Sequence, residues 1–413
     1  MIGAGSAGRG VASLLLKKDA RLQIRGIFDP DPRSVKAAVK LAGKQATVYP
    51  DHQSLLAAPD INWVMIASWN CFHRDQVIDA FRAGKDVFCQ KPLATNLADC
   101  LDMYRTWRQS GKMFNIGFTL RYSPHYRAIR RLLDEKVIGD IISMEFNETI
   151  DFNHGGYIMG DWRRLTKYAG THLLEKCCHD IDLANWMTGS RARRVASFGG
   201  LNFYLPKNKR HSRRLGKNKD GKKAYYTWGG LVGLNPFTSV KDIVDNQVAI
   251  IEYENGVRAT FHANCHAGIS ERRMYILGSE GAIRADVFAG TIELRRVGFD
   301  EPLQRLDAGA SGGHGGGDEV LATELADSML KRRPPATGMD DAFASAATCF
   351  AIDQAMNSNR VVEVGAYWKK LARIVNLQRG RPEAQSLATD AGRLRPRSRS
   401  FFRSLGDSTM LHP

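Results

Sequence analysis

The sequence predicts two α/β domains in series: a doubly wound parallel sheet at the N-terminus, then an α+β domain with a large, mainly antiparallel open sheet. The chain of 413 residues is longer than one hydrophobic core usually organises. Residues 1–120 alternate apolar runs with helix-like stretches, which is typical of a parallel sheet covered on both faces. From about residue 190, strand-like segments follow one another, which favours antiparallel pairing.

The first domain, residues 1–120, contains four buried apolar runs that predict parallel strands. They are Leu22–Phe28, Trp63–Ala67, Asp86–Cys89 and Met113–Phe118. Between them the apolar spacing indicates helices near 7–18, 33–42, 73–83 and 97–110. This order of elements predicts a doubly wound, Rossmann-type sheet.

The second domain, residues 121–368, starts with a helix at 123–135, a strand at 141–150 and a helix at 172–187. The predicted strands that follow are Arg194–Tyr204, Gln247–Tyr253, Val257–Asn264, Arg272–Leu277, Ile283–Val287 and Thr291–Arg295. Asn255 and Gly256 between two of them indicate a hairpin turn. Helices are expected again near 318–332 and 340–357.

Two segments carry almost all of the net charge of +16. Segment 206–224 holds nine Lys/Arg and one Asp, and segment 369–413 holds ten Lys/Arg and three Asp/Glu. The rest of the chain is close to neutral. We therefore expect a basic insertion at 205–242, which either covers the site or is disordered, and a basic, disordered tail at 369–413.

Composition excludes several classes of protein. No apolar run is long enough to span a membrane, and the N-terminus lacks the pattern of a secretory signal. Seven cysteines without regular spacing predict neither a disulfide framework nor a zinc site, so we expect no metal and a cytoplasmic protein. The adjacent Cys177 and Cys178 point about 100° apart on a helix and cannot easily converge on one ion.

The chain opens with a glycine motif, Gly3-Ala-Gly5-Ser-Ala-Gly8, at the start of a helical stretch. In this spacing the glycines permit a tight turn, close approach of backbone to a pyrophosphate, and helix–strand packing. Asp29 follows the next apolar run, where a carboxylate would bind a ribose 2′-hydroxyl and favour NAD. Arg33 could reach a 2′-phosphate, so NADP is the alternative cofactor.

Only Met1 and Ile2 precede the glycine motif, whereas a first strand normally needs about five residues there. We therefore expect a truncated first strand, with a central sheet that lacks a middle member.

Two further elements carry candidate chemistry. Lys91 follows a predicted strand and precedes Pro92, so it should face the crevice at the carboxyl end of the sheet. On the helix from Thr171 to Gly189, the side chains of Glu175, His179 and Asp182 share one face. A carboxylate one turn before a histidine can orient the imidazole and support a general base.

A glycine-rich stretch, Gly313-His314-Gly-Gly-Gly317-Asp318, could cradle a phosphate or position its histidine. A flexible loop that leads into the helix from Asp318 is the simpler interpretation.

Taken together, the motifs of residues 1–365 resemble the glucose–fructose oxidoreductase / inositol dehydrogenase / MocA (Gfo/Idh/MocA) family. The resemblance rests on Gly3-x-Gly5-x-x-Gly8, Asp29-Pro-Asp, Ala67-Ser-Trp-Asn70-Cys-Phe-His73, Ala83-Gly84-Lys-x-Val-x-x-Gln90-Lys91-Pro92, Gly117-Phe-x-x-Arg121-Tyr122, Trp162-Arg163-Arg164 and Glu175-x-x-x-His179-x-x-Asp182. It implies a Rossmann domain followed by an α/β domain whose open sheet supports homo-oligomers.

The resemblance also implies the site residues. The catalytic set falls on Lys91, His179 and Glu175, although Gln90 and Glu175 replace the family's usual Glu and Asp. Contacts with the cofactor are expected from Gly3, Gly5, Ser6, Ala7, Gly8, Asp29, Arg33, Ser68, Asn70, His73, Gln90 and Lys91. Contacts with the substrate are expected from Lys91, Arg121, Tyr122, His154, Trp162, Glu175 and His179.

The expected activity is hydride transfer between NAD(P) and a secondary alcohol or ketone of a sugar or cyclitol. His179 would remove the hydroxyl proton, Lys91 would stabilise the developing alkoxide, and Glu175 would hold the substrate or the imidazole. One alternative is a redox-neutral enzyme that uses bound NAD to process glycosides. Another is a non-enzymatic, nicotinamide-binding regulator. A nucleic-acid partner is disfavoured because the basic segments lack interleaved aromatic residues.

Overall fold

The computed structural model describes residues 1–309 and 312–379. Its helices are α1 Ser6–Leu16, α2 Pro32–Ala42, α3 His52–Ala57, α4 His73–Arg82, α5 Leu97–Ser110, α6 Pro124–Asp134, α7 Phe152–Gly160, α8 Thr166–Ala169, α9 His172–Thr188, α10 Arg210–Leu215, α11 Gly317–Lys331, α12 Met339–Ser358 and α13 Gly365–Arg379. Its strands are β1 Gly26–Ile27, β2 Thr47–Val48, β3 Trp63–Ile66, β4 Asp86–Cys89, β5 Phe114–Ile116, β6 Ile141–Asp151, β7 Ala192–Gly200, β8 Asn246–Tyr253, β9 Arg258–Ala267, β10 Arg273–Gly278, β11 Gly281–Asp286, β12 Thr291–Arg296, β13 Gln304–Leu306 and β14 Val362–Glu363.

The first domain is a parallel sheet, as predicted. Strands β1 and β2 pair in parallel, and so do β3, β4 and β5. Ile2 joins the two groups, because it bridges Phe28 on one side and Ile66 on the other. The expectation that the sheet lacks its middle member is therefore wrong, since Met1 and Ile2 occupy that place with backbone hydrogen bonds of 2.8–2.9 Å.

The second domain is built on a nine-stranded sheet of order β13-β12-β11-β10-β6-β9-β8-β7-β14. Its neighbours are antiparallel except for the parallel pair β6 and β9, so the sheet is mainly antiparallel, as predicted. Gly256, at a φ of +86°, turns the chain between β8 and β9. Such a turn favours glycine because it has no Cβ.

Helix α9 packs against strand β6 of the large sheet and against α12. Thr171 caps its N-terminus by accepting a hydrogen bond from the Leu174 amide at 3.2 Å, and Gly189 ends it in the left-handed conformation. Nearly every residue of the helix is buried. A side chain on α9 is consequently held by packing on all sides, which suits precise positioning.

Helix α11 returns from the second domain to the first. Its Leu321 and Leu325 pack against Val11 and Leu15 of α1. This contact closes one face of the parallel sheet with a helix that is more than 300 residues away in sequence.

Both basic segments are partly ordered. The insertion at 205–242 contains α10 and packs around the buried side chains of Tyr204, Tyr225 and Phe237. The predicted disordered tail is wrong for residues 369–379, which continue α13 and bury Leu371 and Ile374. The remainder of that tail, residues 380–413, lies outside the described residues.

All seven cysteines lie within the described residues and are free thiols. Within the described residues, no helix is long and apolar enough to cross a membrane.

Candidate active site

The glycine motif forms the turn between the first strand and α1. Gly3 has a φ of +82°, and a Cβ there would lie 2.3 Å from the Ser68 backbone nitrogen, so only glycine fits. A Cβ on Gly8 would lie 2.7 Å from the Gly3 carbonyl oxygen, whereas Gly5 faces open space. No side chain caps the first amides of α1, and its first turn holds no acidic residue. This helix end can therefore bind an anion.

Asp29 lies beside the glycine turn, at the end of β1. Its carboxylate accepts hydrogen bonds from the amides of Ala4 at 2.6 Å and Asp31 at 2.8 Å. Arg33 is exposed and pairs with Asp31 at 3.0 Å. The carboxylate is thus fixed next to the turn, while the guanidinium already has a partner.

Residues of both domains line a cleft with a volume of about 360 Å³. It is lined by Gly5, Ser6, Ala7, Arg9, Ser34, Ala67, Ser68, Trp69, Asn70, Gln90, Lys91, Tyr157, Asp161, Trp162, Arg163, Glu175, Gly229, Gly230 and Leu231. The structure therefore brings the glycine turn, the lysine–proline element and Glu175 to one space, as the sequence predicts.

Lys91 extends from the carboxyl end of β4 to the N-terminal part of α9. Its Nζ donates to the Glu175 carbonyl oxygen at 2.5 Å and lies 3.4 Å from Glu175 Oε1. Arg163 Nε donates to the same Oε1 at 3.0 Å. Burial alone would raise the pKa of Glu175, but the positive charges of Lys91 and Arg163 lower it to about 2. The carboxylate is therefore ionised and holds two cations at the cleft.

His179 lies one helical turn beyond Glu175 and is 4% exposed. Its ring packs edge-on against Phe118, with ring centroids 5.9 Å apart. Burial, and then the positive charge of Lys91, lower its pKa well below the ordinary value, so the imidazole is neutral. Among described residues its Nδ1 has no hydrogen-bond partner. Glu175 is thus engaged by cations rather than by the imidazole, which corrects the expectation that it orients His179.

A buried ion-pair network fixes α9 over the large sheet. Arg272 binds Asp180 at 2.7 and 2.9 Å and Glu148 at 2.8 Å, and Lys176 binds Glu148 at 2.8 Å. Together with Cys177, the two carboxylates are the one cluster of metal-type ligands found among the described residues. The two cations already balance their charge, so this network anchors the helix that carries Glu175 and His179.

Arg121 and Tyr122, expected to bind substrate, are not among the residues that line the cleft, and both have partners within the protein. Arg121 makes two hydrogen bonds of 2.7 Å to Asp182 and an ion pair of 2.9 Å with Asp341. Tyr122 is fully buried, and its hydroxyl bonds to Thr337 at 3.0 Å. Arg121 therefore ties α9 to α12, and the Tyr122 hydroxyl links the segment before α12 to Asn115 of β5.

His73, expected to contact the cofactor, is also buried. Its ring lies between the Pro92 carbonyl oxygen, 2.9 Å from Nδ1, and the Ser68 carbonyl oxygen, 3.3 Å from Nε2. It therefore clamps two loops that line the cleft rather than reaching the cleft itself. Asn70 does line the cleft and donates to the Ala169 carbonyl oxygen at 2.8 Å.

Aromatic rings form the outer wall of the cleft. Trp162 stacks on Trp69 with centroids 4.9 Å apart and planes within 7°. His154 does not line the cleft but stacks on Trp228 of the basic insertion at 4.1 Å. Burial lowers the pKa of His154 to about 3. Both residues were expected to contact the substrate. Trp162 lines the cleft, whereas His154 does not.

Residues 229–231, here called the strap, line the cleft together with Lys91. The Val232 amide donates to Asp161 Oδ2 at 3.4 Å, and a Cβ on Gly230 would lie 2.1 Å from the same oxygen. The insertion thus contributes three residues to the lining of the cleft. Tyr157, Asp161 and Arg163 are cleft residues that sequence reasoning missed. Arg163 follows Trp162 in the motif Trp162-Arg163-Arg164, so the sequence held a signal that could have identified it as a cleft residue.

The comparisons with known proteins fit this geometry. Residues 1–118 match the family model described as the GFO/IDH/MocA oxidoreductase family, NAD-binding Rossmann fold. Residues 126–284 match the GFO/IDH/MocA C-terminal domain.

Individual relatives are similar over different lengths. A protein of Bacillus subtilis, YteT, is 25% identical over 366 residues, which are 76% of this chain and 84% of that protein. Inositol 2-dehydrogenase of Ralstonia nicotianae is 30% identical over 190 residues. That alignment covers 46% of this chain and about half, 53%, of the relative. A structure of levoglucosan dehydrogenase with NADH and levoglucosan has a TM-score of 0.73 and 19% identity, covering 88% of this chain and 98% of that one.

Proposed function

The chain belongs to the Gfo/Idh/MocA family of oxidoreductases, and on that premise we propose that it transfers a hydride between a nicotinamide cofactor and a secondary alcohol or ketone of a sugar or cyclitol. The observation that carries the proposal is the Lys91–Glu175 pair in a cleft that the glycine turn also lines. The names of the relatives, inositol 2-dehydrogenase and levoglucosan dehydrogenase, support this substrate class.

The residues at the glycine turn fit a dinucleotide. Gly5 leaves open space where a side chain would stand, and the uncapped amides of α1 face the same side. Gly5, Ser6 and Ala7 would hold the pyrophosphate with backbone amides. When bound, the nicotinamide supplies the hydride acceptor or donor.

We propose NAD rather than NADP. Asp29 fixes a carboxylate beside the turn, where it would accept a hydrogen bond from a ribose hydroxyl and repel a 2′-phosphate. Arg33, the cation that could bind such a phosphate, is paired with Asp31.

Three side chains act on the reacting carbon and its oxygen. Lys91 donates a hydrogen bond to the substrate oxygen and stabilises the negative charge that develops on it. His179, neutral because of its burial and its neighbouring cations, accepts the hydroxyl proton. Glu175, ionised by Lys91 and Arg163, keeps the ammonium in place and accepts a hydrogen bond from a second substrate hydroxyl.

An uncharged polyol suits the rest of the cleft. Trp69 and Trp162 offer flat apolar faces, while Arg163 and Glu175 offer hydrogen-bond donors and acceptors. A ligand pocket commonly combines such apolar walls with few polar groups.

The test is oxidation of myo-inositol, scyllo-inositol, levoglucosan, glucose and xylose with NAD and with NADP, followed by NADH or NADPH absorbance. With NAD we expect NADH to accumulate in proportion to the alcohol consumed, and with NADP we expect NADPH to accumulate more slowly. Alcohol consumption without NADH accumulation would point instead to redox-neutral glycoside processing. No reaction and no NADH binding would refute the proposal.

We also propose that the protein forms a homo-oligomer through the outer face of the large sheet. This face exposes Phe198, Val248 and Ile250, which are 68%, 46% and 59% exposed on neighbouring strands β7 and β8. Contiguous apolar side chains on a sheet face are typical of a protein interface. The unpaired cysteines favour a reducing compartment, and we propose the cytoplasm.

A further inference from the structure

His179 is too buried to exchange protons with water directly, and the proposed reaction releases one proton per turnover. Oxidation of the alcohol moves a hydride from carbon to the nicotinamide, while the hydroxyl proton goes to His179 and the C–O bond becomes a carbonyl. Since His179 is 4% exposed, the proton needs a route from the imidazole to solvent before the next turnover.

A second imidazole lies beside the first. The ring of His314 is 5.9 Å from that of His179, measured between centroids. Its side chain is 43% exposed, so it contacts both solvent and the buried histidine. The Nδ1 of His314 lies 3.0 and 3.1 Å from the two carboxylate oxygens of Asp318, which fixes the plane of the ring.

The loop that carries His314, expected to be flexible, packs against the segment 119–123. His314 has a φ of +51°, in the left-handed region that non-glycine residues adopt only rarely. The Ser123 hydroxyl donates to the Gly315 carbonyl oxygen at 2.8 Å. A Cβ on Gly317 would lie 2.4 Å from the Thr119 carbonyl oxygen. The strained residue is therefore pinned against the segment 119–123.

We propose that His314, positioned by Asp318, relays the proton between His179 and solvent. The separation of the rings is one that a single water or a substrate hydroxyl bridges. In alcohol oxidation the proton leaves His179 for His314 and then for water, and in ketone reduction it travels in reverse. This inference rests on the proposed dehydrogenase activity, and it makes His314 a positioning and relay residue next to the proposed base.

Several charged groups act on the two imidazoles. Burial, Lys91, His314, Arg272 and Lys176 all lower the pKa of His179, in that order of importance. On its own element, His314 faces Asp318. Replacing His314 with a side chain that does not titrate should consequently raise the pKa of His179, because two neighbouring imidazoles oppose each other's protonation.

The test uses His314→Asn, because asparagine tolerates a positive φ and preserves the loop. The matched control is His211→Asn, which removes a histidine of the basic insertion. In the cofactor-free protein, NMR titration of ¹⁵N-labelled histidines should show a higher pKa for His179 in His314→Asn and no change in the control. An unchanged His179 titration would overturn the coupling, and with it the relay.

The second readout is turnover of the alcohol that the wild type oxidises fastest in the panel of inositols and sugars. In weak buffer, His314→Asn should lower kcat about ten-fold or more with KM nearly unchanged, and added imidazole should restore kcat. A raised KM without rescue by imidazole would overturn the relay and mark His314 as a substrate contact. If the wild type oxidises no alcohol of the panel, the proposed function fails, while the NMR titration still decides whether the two histidines are coupled.

Discussion

Replacing Arg121 with methionine should destabilise the protein rather than weaken substrate binding. The guanidinium makes two 2.7 Å hydrogen bonds to Asp182 and a 2.9 Å ion pair with Asp341. Arg121 and Asp182 have only 11% and 1% of their side chains exposed. The substitution leaves the carboxylate of Asp182 buried without its cation.

The magnitude follows from that burial. Breaking a buried ion pair by removing one partner costs about 3–5 kcal/mol. Burial already raises the pKa of Asp182 to about 7 against the opposing charge of Arg121. Without Arg121 the carboxyl group of Asp182 should be protonated at neutral pH. Because the neutral form avoids a buried charge, the loss in free energy of unfolding should not exceed about 3–5 kcal/mol. For domains of this size we expect the melting temperature to fall by roughly 10 °C.

The assay is thermal unfolding followed by circular dichroism, with KM measured on the same preparations. The double variant Arg121→Met/Asp182→Leu should recover most of the lost melting temperature, because the carboxylate that remains, Asp341, is 29% exposed and can be solvated, whereas the buried one is gone. A melting temperature within 2 °C of wild type, together with a KM raised ten-fold or more, would refute the structural role and restore Arg121 as a substrate ligand.

Three further outcomes are expected. Gly230→Ala should weaken NADH binding several-fold in a fluorescence titration, because the new Cβ would lie 2.1 Å from the carboxylate oxygen of the buried Asp161. In the control Gly229→Ala the new Cβ meets nothing within 4 Å, so this variant should bind NADH as the wild type does. Burial lowers the pKa of His172 to about 4 from 6.5, so proton uptake favours the unfolded chain below pH 6.5. As pH drops from about 6.5 to 4, His172 should therefore lower the free energy of unfolding by up to about 3 kcal/mol. The melting temperature should fall over the same pH range, and the decline should be smaller in His172→Gln. Ile250→Glu on the outer sheet face should reduce the mass measured by light scattering, while Val240→Glu, on an exposed loop, should not.

Much of the fold is predictable because its signals are local. The predicted helix at 97–110 matches α5 residue for residue, and the caps of α9 fall on Thr171 and Gly189. Helix α7 was missed because its glycines disfavour a helix on propensity alone. Tertiary packing requires them, since a Cβ on Gly156 would lie 2.3 Å from the Tyr225 carbonyl oxygen. Helix α13 was missed because its buried apolar residues, Trp368, Leu371 and Ile374, lie in and next to a strongly basic segment.

The site was predictable where a motif sits at a strand end or on one helix face. Lys91 and Glu175 meet as expected, because the carboxyl end of β4 faces the start of α9. The roles of Arg121 and Tyr122 depend on partners far away in sequence, which no local pattern reveals. The strap likewise reaches the cleft only through folding of the basic insertion.

The central claim is that Lys91 acts on the substrate oxygen, and one comparison tests it most directly. NADH binding and alcohol turnover are measured for wild type, Lys91→Ala and the control Lys112→Ala. The account predicts that Lys91→Ala binds NADH with nearly wild-type affinity while kcat falls about 100-fold or more, and that the control behaves as wild type. Wild-type turnover by Lys91→Ala would contradict it.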